Sequence, residues 1–245
     1  MQTVNVPLGD RSYDILIGPD LLRSAGAHIR NVSRHDRLVV VADADVAKIH
    51  GPRLMDSLFA SGFKVDLLET PPGESSKGFQ TFSDLLERTL ALGIDRRTTI
   101  VAFGGGVTGD LAGFVAAVLL RGLDFIQIPT TLLAQVDSSV GGKTAINAKA
   151  GKNLIGAFHQ PKLVLADLDV LTTLPRRELL AGYAEVLKYG LIDRPDFFTW
   201  LNENGPGALD GDLDLLGHAV AECCRAKAEV VAADEKEAGR RALLN

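Results

Sequence analysis

Short β-rich apolar runs, most of them continuous, recur between residues 38 and 166 and alternate with stretches of helical character. The runs occupy residues 38–42, 64–68, 98–103, 125–128 and 163–166. Strands covered on both faces have this continuous apolar character, whereas strands with one wet face alternate apolar and polar residues. Between two of the runs a helix is predicted over residues 79–92, ended by Gly93. The pattern predicts an α/β fold built on a Rossmann-like parallel sheet with crossover helices.

The two ends of the chain differ from this pattern. Residues 3–7 and 13–17 predict an antiparallel hairpin ahead of the sheet. No strand pattern follows residue 174, and two long helices are predicted instead, the second over roughly residues 213–234. The first should be capped by Thr173, carry Pro175 in its first turn and run to about Tyr189, with Gly190 as its stop. We therefore predict an α/β domain over residues 1–174 and an all-helical domain over residues 175–245.

The bulk composition argues against several classes of protein. Of the 245 residues, 46% are apolar and 23% are charged, and the net charge of −5 comes without a basic block, so nucleic-acid binding has no electrostatic support. No stretch reaches the ~20 uninterrupted apolar residues of a membrane span, and the N-terminus lacks a signal-peptide pattern. The two cysteines, Cys223 and Cys224, are adjacent, which fits a reducing, cytoplasmic compartment.

A glycine-rich turn follows the predicted strand at residues 98–103. Gly104, Gly106 and Gly109 have the spacing G-x-G-x-x-G and precede an apolar helix. Small residues let the backbone approach a pyrophosphate, and a helix N-terminus offers free N–H groups to it. The same spacing also suits a tight turn that packs well, so the motif alone leaves both interpretations open. A P-loop at residues 137–144 is unlike the required pattern, because Asp137 stands where that motif needs glycine.

Two lysines follow glycines in the least core-like segment of the α/β half. They occur in Gly142-Lys143 and in Gly151-Lys152-Asn153, where loop structure is expected. Lysine is a compact cation that binds phosphate and carboxylate groups, and asparagine adds a donor and an acceptor. Most lysines are simply solvated at the surface. The paired placement slightly favours an anion site.

Glu185 and Lys188 are three residues apart on the first predicted helix of the C-terminal part, beside an apolar stripe of Leu180, Ala184, Leu187 and Leu191. On spacing alone, a surface ion pair is the better interpretation. The functional alternative is a carboxylate metal ligand next to a cation for an anionic substrate. A catalytic zinc usually takes three protein ligands, and the five histidines show no paired metal-binding spacing.

Taken together, these segments resemble the 3-dehydroquinate synthase family along nearly the whole chain. The matching stretches occur in the family's order at residues 72–77, 104–110, 121–122, 129–144, 151–153 and 184–190. Several such stretches in order are far more specific than any one of them. The resemblance implies a Rossmann-like NAD-binding domain followed by a helical domain for metal and substrate.

The resemblance implies that the α/β half binds NAD⁺. Asp43, Glu74 and Lys77 would contact the nucleotide half, and residues 106–110 would hold the pyrophosphate and ribose. The full set of expected cofactor residues is Asp43, Gly73, Glu74, Ser75, Ser76, Lys77, Gly105, Gly106, Val107, Thr108, Gly109, Asp110, Thr130, Thr131, Lys143, Lys152, Val170, Leu171, Thr172 and Thr173.

The resemblance also implies a substrate site and a metal site. The family converts 3-deoxy-arabino-heptulosonate 7-phosphate, which carries a phosphate and a carboxylate, into 3-dehydroquinate and phosphate in the shikimate pathway. The expected substrate residues are Arg121, Asp137, Lys143, Lys152, Asn153, Lys188, Lys227, Arg241 and Asn245. Glu185 would be the carboxylate ligand of zinc or cobalt, and Arg121 would reach the substrate phosphate across a homodimer interface.

One departure from the family pattern concerns the metal. The sequence ends at Asn245, where the family continues into a glycine and the first of two histidine ligands. We therefore expect the 245 residues, as a truncated chain, to lack a normal metal site and to be inactive. The alternatives are another sugar-phosphate cyclase, a polyol dehydrogenase of the iron-containing type, and an inactive NAD-binding fragment.

Overall fold

A computed structural model describes residues 1–33, 35–237 and 239. Within them strands and helices alternate as far as Asp167, and helices follow. The elements are β1 (Gln2–Val6), β2 (Tyr13–Gly18), α1 (Leu21–Val32), β3 (Arg37–Asp43), α2 (Ala44–Ala60), β4 (Lys64–Thr70), α3 (Phe79–Ala91), β5 (Thr99–Gly104), α4 (Gly106–Val118), β6 (Asp124–Pro129), β7 (Lys143–Ala148), β8 (Gly151–Phe158), β9 (Leu163–Asp167), α5 (Arg176–Ile192), α6 (Pro195–Leu209) and α7 (Leu213–Ala233).

Seven strands form the main sheet, in the order β1-β2-β9-β6-β5-β3-β4. All neighbours are parallel except β1 and β2, which form the predicted antiparallel hairpin. Alternate residues of the central strands face two apolar clusters. Leu38 and Val40 of β3 lie in one cluster, and Val39 and Val41 lie in the other. Covering on both faces explains why these strands have continuous apolar sequences, and the predicted parallel sheet is confirmed.

The order of the strands creates a crevice at one edge of the sheet. From β3 the chain crosses through α2 to β4 on one side, whereas from β5 it crosses through α4 to β6 on the other. β3 and β5 are neighbours, so their following connections diverge. In open α/β sheets, ligands bind at such a switch point, outside the carboxyl ends of the strands.

The segment at residues 143–158 is not a loop. β7 and β8 pair as a separate antiparallel hairpin, with an irregularity between Ile146 and Ala148. Ile146 is fully buried in the cluster that β7 shares with α4. The polar, glycine-containing sequence does not predict this strand pair, because most of β8 is exposed and the pair is stabilised by tertiary packing against α4. The loop prediction for Lys143, Lys152 and Asn153 was therefore wrong.

No strand occurs among the described residues after Asp167, as predicted, and none of the described helices is long and apolar enough to cross a membrane. Apolar residues of α5 and α7 share one cluster with the sheet, so the domain boundary near residue 174 stays a prediction. α6 was not predicted. The second predicted helix is confirmed as α7.

Two predicted details of α5 were wrong. Thr173 does not cap the helix, because it belongs to a 3₁₀-helical turn and its hydroxyl donates to the carbonyl of Val170 at 3.0 Å. Pro175 occupies the N-cap position instead. The helix also continues through Gly190, where a Cβ would lie 3.1 Å from the Cα of Phe198. The glycine serves a close approach to α6 rather than a stop.

The apolar stripe predicted for α5 does not form its buried face. Leu180 and Leu191 are 45% and 69% exposed, and Ala184 is exposed, whereas Leu187 packs partly against the core. The buried face consists of Leu179, Gly182, Tyr183, Val186, Tyr189 and Gly190. The helix is rotated toward the two tyrosines because their rings bury more apolar area than the leucines would.

A substitution where α1 crosses α2 can test the packing of this fold. A Cβ added at Gly26 would lie 2.8 Å from Ser61 Cβ and closer still to the Ser57 carbonyl oxygen. We expect Gly26→Ala to lower the free energy of unfolding by about 1–3 kcal/mol, because the helices must separate. Gly51→Ala is the matched control, since its Cβ would meet only Ala47 at 3.9 Å. It should change stability by less than about 1 kcal/mol, because the gain in helix propensity is offset by crowding of the new Cβ against the ring of Pro52. Urea denaturation would measure both, and equal effects would contradict the packing.

Candidate active site

The glycine-rich turn lies at the switch point, between β5 and α4. A Cβ at Gly104 would lie 2.7 Å from Thr108 Cβ, and one at Gly105 would lie 3.0 Å from Thr131 Cγ2. A Cβ at Gly109 would lie 2.8 Å from Gln127 Oε1 of β6. Each glycine thus allows a close approach that another residue would block. α4 begins at Gly106 without a side-chain cap, so its first N–H groups are available to an anion.

The other expected nucleotide residues surround this turn. Asp43, at the end of β3, accepts hydrogen bonds from the backbone N–H groups of Asp45 and Val46 and so caps α2. Thr130 donates its backbone N–H to the carbonyl of Gly104 at 3.0 Å. The segment 73–77 follows β4, where Gly73 has a φ of +89°. The carboxyl ends of β3, β4, β5 and β6 therefore bring these segments to one edge, as parallel strands must.

The segment after β9 offers a ligand its backbone rather than its apolar side chains. The side chains of Val170 and Leu171 are buried in the core, so only their backbones could face a ligand. Thr173 bonds to His50 Nε2 at 2.8 Å, which holds the segment against α2. Thr172 donates its hydroxyl to the carbonyl of Asp169 at 2.6 Å.

A buried lysine joins the segment after β4 to α4 and β8. Lys77, with its side chain 6% exposed, forms an ion pair with Asp110 and donates to Asn153 Oδ1 at 2.5 Å. Burial raises the pKa of Asp110, and the opposing effect of the Lys77 ammonium is smaller. Asn153 has a φ of +57°, a conformation that asparagine tolerates better than most residues.

A cleft of about 570 Å³ opens beside the glycine turn. Its walls include five of the expected residues: Asp110, Asp137, Lys143, Asn153 and Lys227. They also include Ser138, Thr144 and Glu237, which sequence reasoning did not select. Glu237 forms an ion pair with Lys143 at 2.5 Å. Nothing in the local sequence singles out Glu237, because only the fold brings the end of α7 back to β7.

Asp137 and Lys227 form the central pair of the cleft. Asp137 lies in a π-helical turn at Ala134–Ser138, and such turns are frequent at functional sites. The Lys227 ammonium donates to its carboxylate at 2.5 Å and to its backbone carbonyl at 2.6 Å. Burial raises the pKa of Asp137, but Lys227, Lys188 and Lys143 together outweigh burial and lower it. Tyr189, also unselected from sequence, donates to the same carboxylate at 3.4 Å.

Several expected substrate residues lie outside the cleft wall. Lys152 is 72% exposed and pairs with Glu74 at 3.3 Å, which places it near the nucleotide segment. Arg121 is exposed beyond the C-terminal end of α4, at the opposite end of that helix from the glycine turn. Lys188 pairs with Glu185 on α5 and lies close enough to Asp137 to affect its pKa. Arg241 and Asn245 fall outside the described residues.

Glu185 is a suitable but single metal ligand. Its side chain is 28% exposed, and its buried Oε2 is ion-paired with Lys188 but makes no aligned hydrogen bond. A carboxylate with spare acceptor capacity fits a divalent cation. Within residues 1–33, 35–237 and 239, however, no three His, Cys, Asp or Glu side chains are grouped as a metal site would need. The described part of the chain thus offers one ligand and not a complete site.

The Asp137–Lys227 pair can be tested by removing its cation. We expect Lys227→Met to raise the pKa of Asp137, because burial then acts with less opposing charge, and to cost about 3 kcal/mol of stability near neutral pH. A carboxyl group whose pKa is lower in the folded state stabilises the fold at pH values above its pKa in the unfolded chain, about 3.9. The stability difference between wild type and variant should therefore shrink as the pH falls through the native pKa.

Carboxyl carbon NMR titration and denaturation at several pH values would measure both effects. Lys162→Met is the control, since Lys162 pairs with Asp124 at 3.6 Å with both side chains about half exposed. A cost independent of pH, with the Asp137 titration unmoved, would contradict the electrostatic account.

The comparisons with known proteins cover the whole chain. A sequence profile of the 3-dehydroquinate synthase N-terminal region matches residues 67–181, and one of the C-terminal region matches residues 182–245. A 3-dehydroquinate synthase from Caulobacter vibrioides is 59% identical over all of this chain, which spans 66% of that relative's length.

Solved structures show the same relationship. A 2-deoxy-scyllo-inosose synthase complexed with carbaglucose-6-phosphate, NAD⁺ and Co²⁺ has a TM-score of 0.88 at 32% identity, covering 99% of this chain and 66% of its own. An iron-containing alcohol dehydrogenase has a TM-score of 0.73 over 90% of this chain and 67% of its own, but at 18% identity it shares the fold alone. The comparisons give no support to the expectation of inactivity. The chain belongs to the 3-dehydroquinate synthase family.

Proposed function

We propose that this chain binds NAD⁺ and acts in the 3-dehydroquinate synthase reaction, converting 3-deoxy-arabino-heptulosonate 7-phosphate into 3-dehydroquinate and phosphate in the shikimate pathway. One observation carries the proposal. Asp110 of the glycine turn shares a single cleft with Asp137, Lys143, Asn153 and Lys227, at the switch point of the sheet. A dinucleotide turn and a cationic substrate wall meet there, as a reaction between cofactor and substrate requires.

The NAD⁺ assignment rests on the turn and its surroundings. The open N–H groups of α4 would receive the pyrophosphate, and Asp43 and Glu74 lie at the carboxyl ends of the adjacent strands. The related 2-deoxy-scyllo-inosose synthase contains NAD⁺ and Co²⁺. Bound NAD⁺ would supply reversible hydride transfer at a ring alcohol and be regenerated in each cycle, so the overall reaction, loss of phosphate with ring closure, is redox-neutral.

The residues of the cleft suit the charges of this substrate. The ammonium groups of Lys143 and Lys227 would bind its phosphate or carboxylate. Asp137, whose pKa is lowered, stays ionised and holds Lys227 charged at a fixed place. Next to the transient ketone, the acidified C–H proton and the phosphate would be lost as the C–O bond breaks. After the ketone is reduced again, ring opening and an intramolecular aldol addition would form the C–C bond that closes the carbocycle of 3-dehydroquinate. Glu185 would be one ligand of a zinc or cobalt ion, which would lower the pKa of a bound hydroxyl.

We also propose a homodimer in the cytoplasm. The family resemblance assigns Arg121 to the substrate phosphate of a partner subunit, and its exposed position, away from the cleft of its own subunit, is compatible with that role. Cys223 and Cys224 are both buried free thiols, which suits a reducing compartment.

A related sugar-phosphate cyclase is the second candidate, because the cyclase structure aligns at 32% identity with NAD⁺ in its site. Phosphate release separates the candidates. The synthase should release phosphate from 3-deoxy-arabino-heptulosonate 7-phosphate with catalytic NAD⁺ and Co²⁺ or Zn²⁺, and no NADH should accumulate. Accumulating NADH would indicate a dehydrogenase. NAD⁺ binding without phosphate release would leave another cyclase, which should instead release phosphate from a hexose 6-phosphate, or a nucleotide-binding fragment, which should release none. Either result would overturn the synthase assignment for these residues.

The role of the glycine-rich turn in NAD⁺ binding can be tested by adding a side chain to it. Gly105→Ala would add a methyl group 3.0 Å from Thr131, on the side where the pyrophosphate must approach, without a positive φ to strain the backbone. We expect the Kd for NAD⁺, measured by calorimetry, to rise at least tenfold, about 1.4 kcal/mol. Gly51→Ala in α2 should leave it unchanged. Equal NAD⁺ affinity in wild type and Gly105→Ala would place the dinucleotide elsewhere.

A further inference from the structure

The turn that carries Lys143 into the cleft depends on a contact from the N-terminal hairpin. Gly141 and Gly142 have φ values of +93° and +65°, so the backbone reverses through two left-handed residues just before Lys143. The buried Tyr13 hydroxyl of β2 accepts a hydrogen bond from the backbone N–H of Gly141 at 3.0 Å. The carbonyl of Gly142 accepts from the N–H of His159 at 2.7 Å. Lys143 therefore starts β7 from a turn fixed on both sides.

A second contact from the hairpin reaches the partner of Lys143. Arg11, in the turn between β1 and β2, binds Glu235 through two nearly parallel hydrogen bonds of 2.5 and 2.7 Å. Glu235 follows α7 and also accepts from Gln160 Nε2 at 3.0 Å. Two residues later, Glu237 pairs with Lys143. Gln160 itself packs against Gly142, where a Cβ would lie 2.6 Å from Gln160 Cδ.

We propose that the β1–β2 hairpin positions Lys143 for anion binding, through Tyr13 at its backbone turn and Arg11 at the segment that carries its carboxylate partner. Both are positioning residues, because neither lines the cleft. Tyr13 is buried and Arg11 has a side chain 58% exposed, so Tyr13 carries the larger share. The inference rests on the proposed function, since it assigns Lys143 to the substrate.

Hydrogen exchange tests the backbone contact without any ligand. Tyr13→Phe removes one hydroxyl and keeps the ring, so the Gly141 amide loses its acceptor, and its exchange should quicken about tenfold relative to wild type. Exchange elsewhere in β1, β2 and β9 should stay within about twofold if the sheet is intact. An unchanged rate at Gly141 would overturn the proposal whatever the chain binds.

Substrate affinity tests the consequence. With saturating NAD⁺, Tyr13→Phe should raise the Kd for 3-deoxy-arabino-heptulosonate 7-phosphate about fivefold, while the Kd for NAD⁺ alone stays the same. In a Lys143→Ala background, Tyr13→Phe should have almost no effect on substrate affinity, since its action passes through Lys143. Tyr183→Phe is the matched control, as its hydroxyl lies against Gly205 of α6. An equal loss in both backgrounds would indicate general destabilisation and overturn the proposal.

Arg11 provides an independent test of the same inference. Arg11→Ala should weaken substrate binding about threefold, and Arg11→Lys should recover part of the loss, because lysine keeps the charge but not the two parallel bonds. Arg23→Ala, which removes an exposed ion pair with Asp20, should match wild type. If the wild type binds the substrate and every hairpin variant binds it equally well, this inference is overturned while the proposed function stands. Absence of NAD⁺ and substrate binding in wild type would overturn the proposed function.

Discussion

The ion pair between Lys227 and Asp137 is the constraint on which the arrangement of the site depends. The buried face of α7 is otherwise apolar, and it places Lys227, with its side chain 8% exposed, against the π-helical turn after β6. An unpaired ammonium there would be costly, so the helix can pack on the sheet only where a carboxylate meets it. The pair thus fixes α7 against the sheet, and with it the segment that brings Glu235 and Glu237 back to the cleft.

This pair also sets the charge state of the cleft. Asp110 and Asp137 both lose solvent, yet their pKa values move in opposite directions. Burial dominates at Asp110, whereas three lysines outweigh burial at Asp137. Lys143 and Lys227 each have a carboxylate partner in the cleft, Glu237 and Asp137. An anionic ligand must therefore compete with these carboxylates, which discriminates against ligands that cannot offer several well-placed anionic oxygens.

The sheet could be predicted from the sequence because the residue types of a buried strand directly reflect its apolar environment. Leu38 to Val41 are apolar in succession because alternate side chains enter two cores. The same logic failed for β7 and β8, because β8 is largely exposed and the pair depends on α4 for packing. It failed again for α5, where Leu180 and Leu191 fit an apolar stripe but Tyr183 and Tyr189 occupy the core. Periodicity alone cannot decide between two apolar faces when both are present.

The two glycine–lysine pairs show what site prediction from sequence could and could not reach. In the sequence Gly142-Lys143 and Gly151-Lys152 have equal standing, but β7 and β8 place them at opposite ends of one hairpin. Lys143 pairs in register with Phe158, and Gly151 pairs with Ala148 near the connecting turn. Four residues of strand separate Lys143 from Asn147, about 13 Å. Lys143 consequently lies in the cleft, and Lys152 lies beside Glu74. Asn153, the next residue, has a left-handed backbone in the irregular part of this hairpin and reaches Lys77 instead. Residue type selected both positions as candidates for an anion site, and strand register decides which of them lies in the cleft.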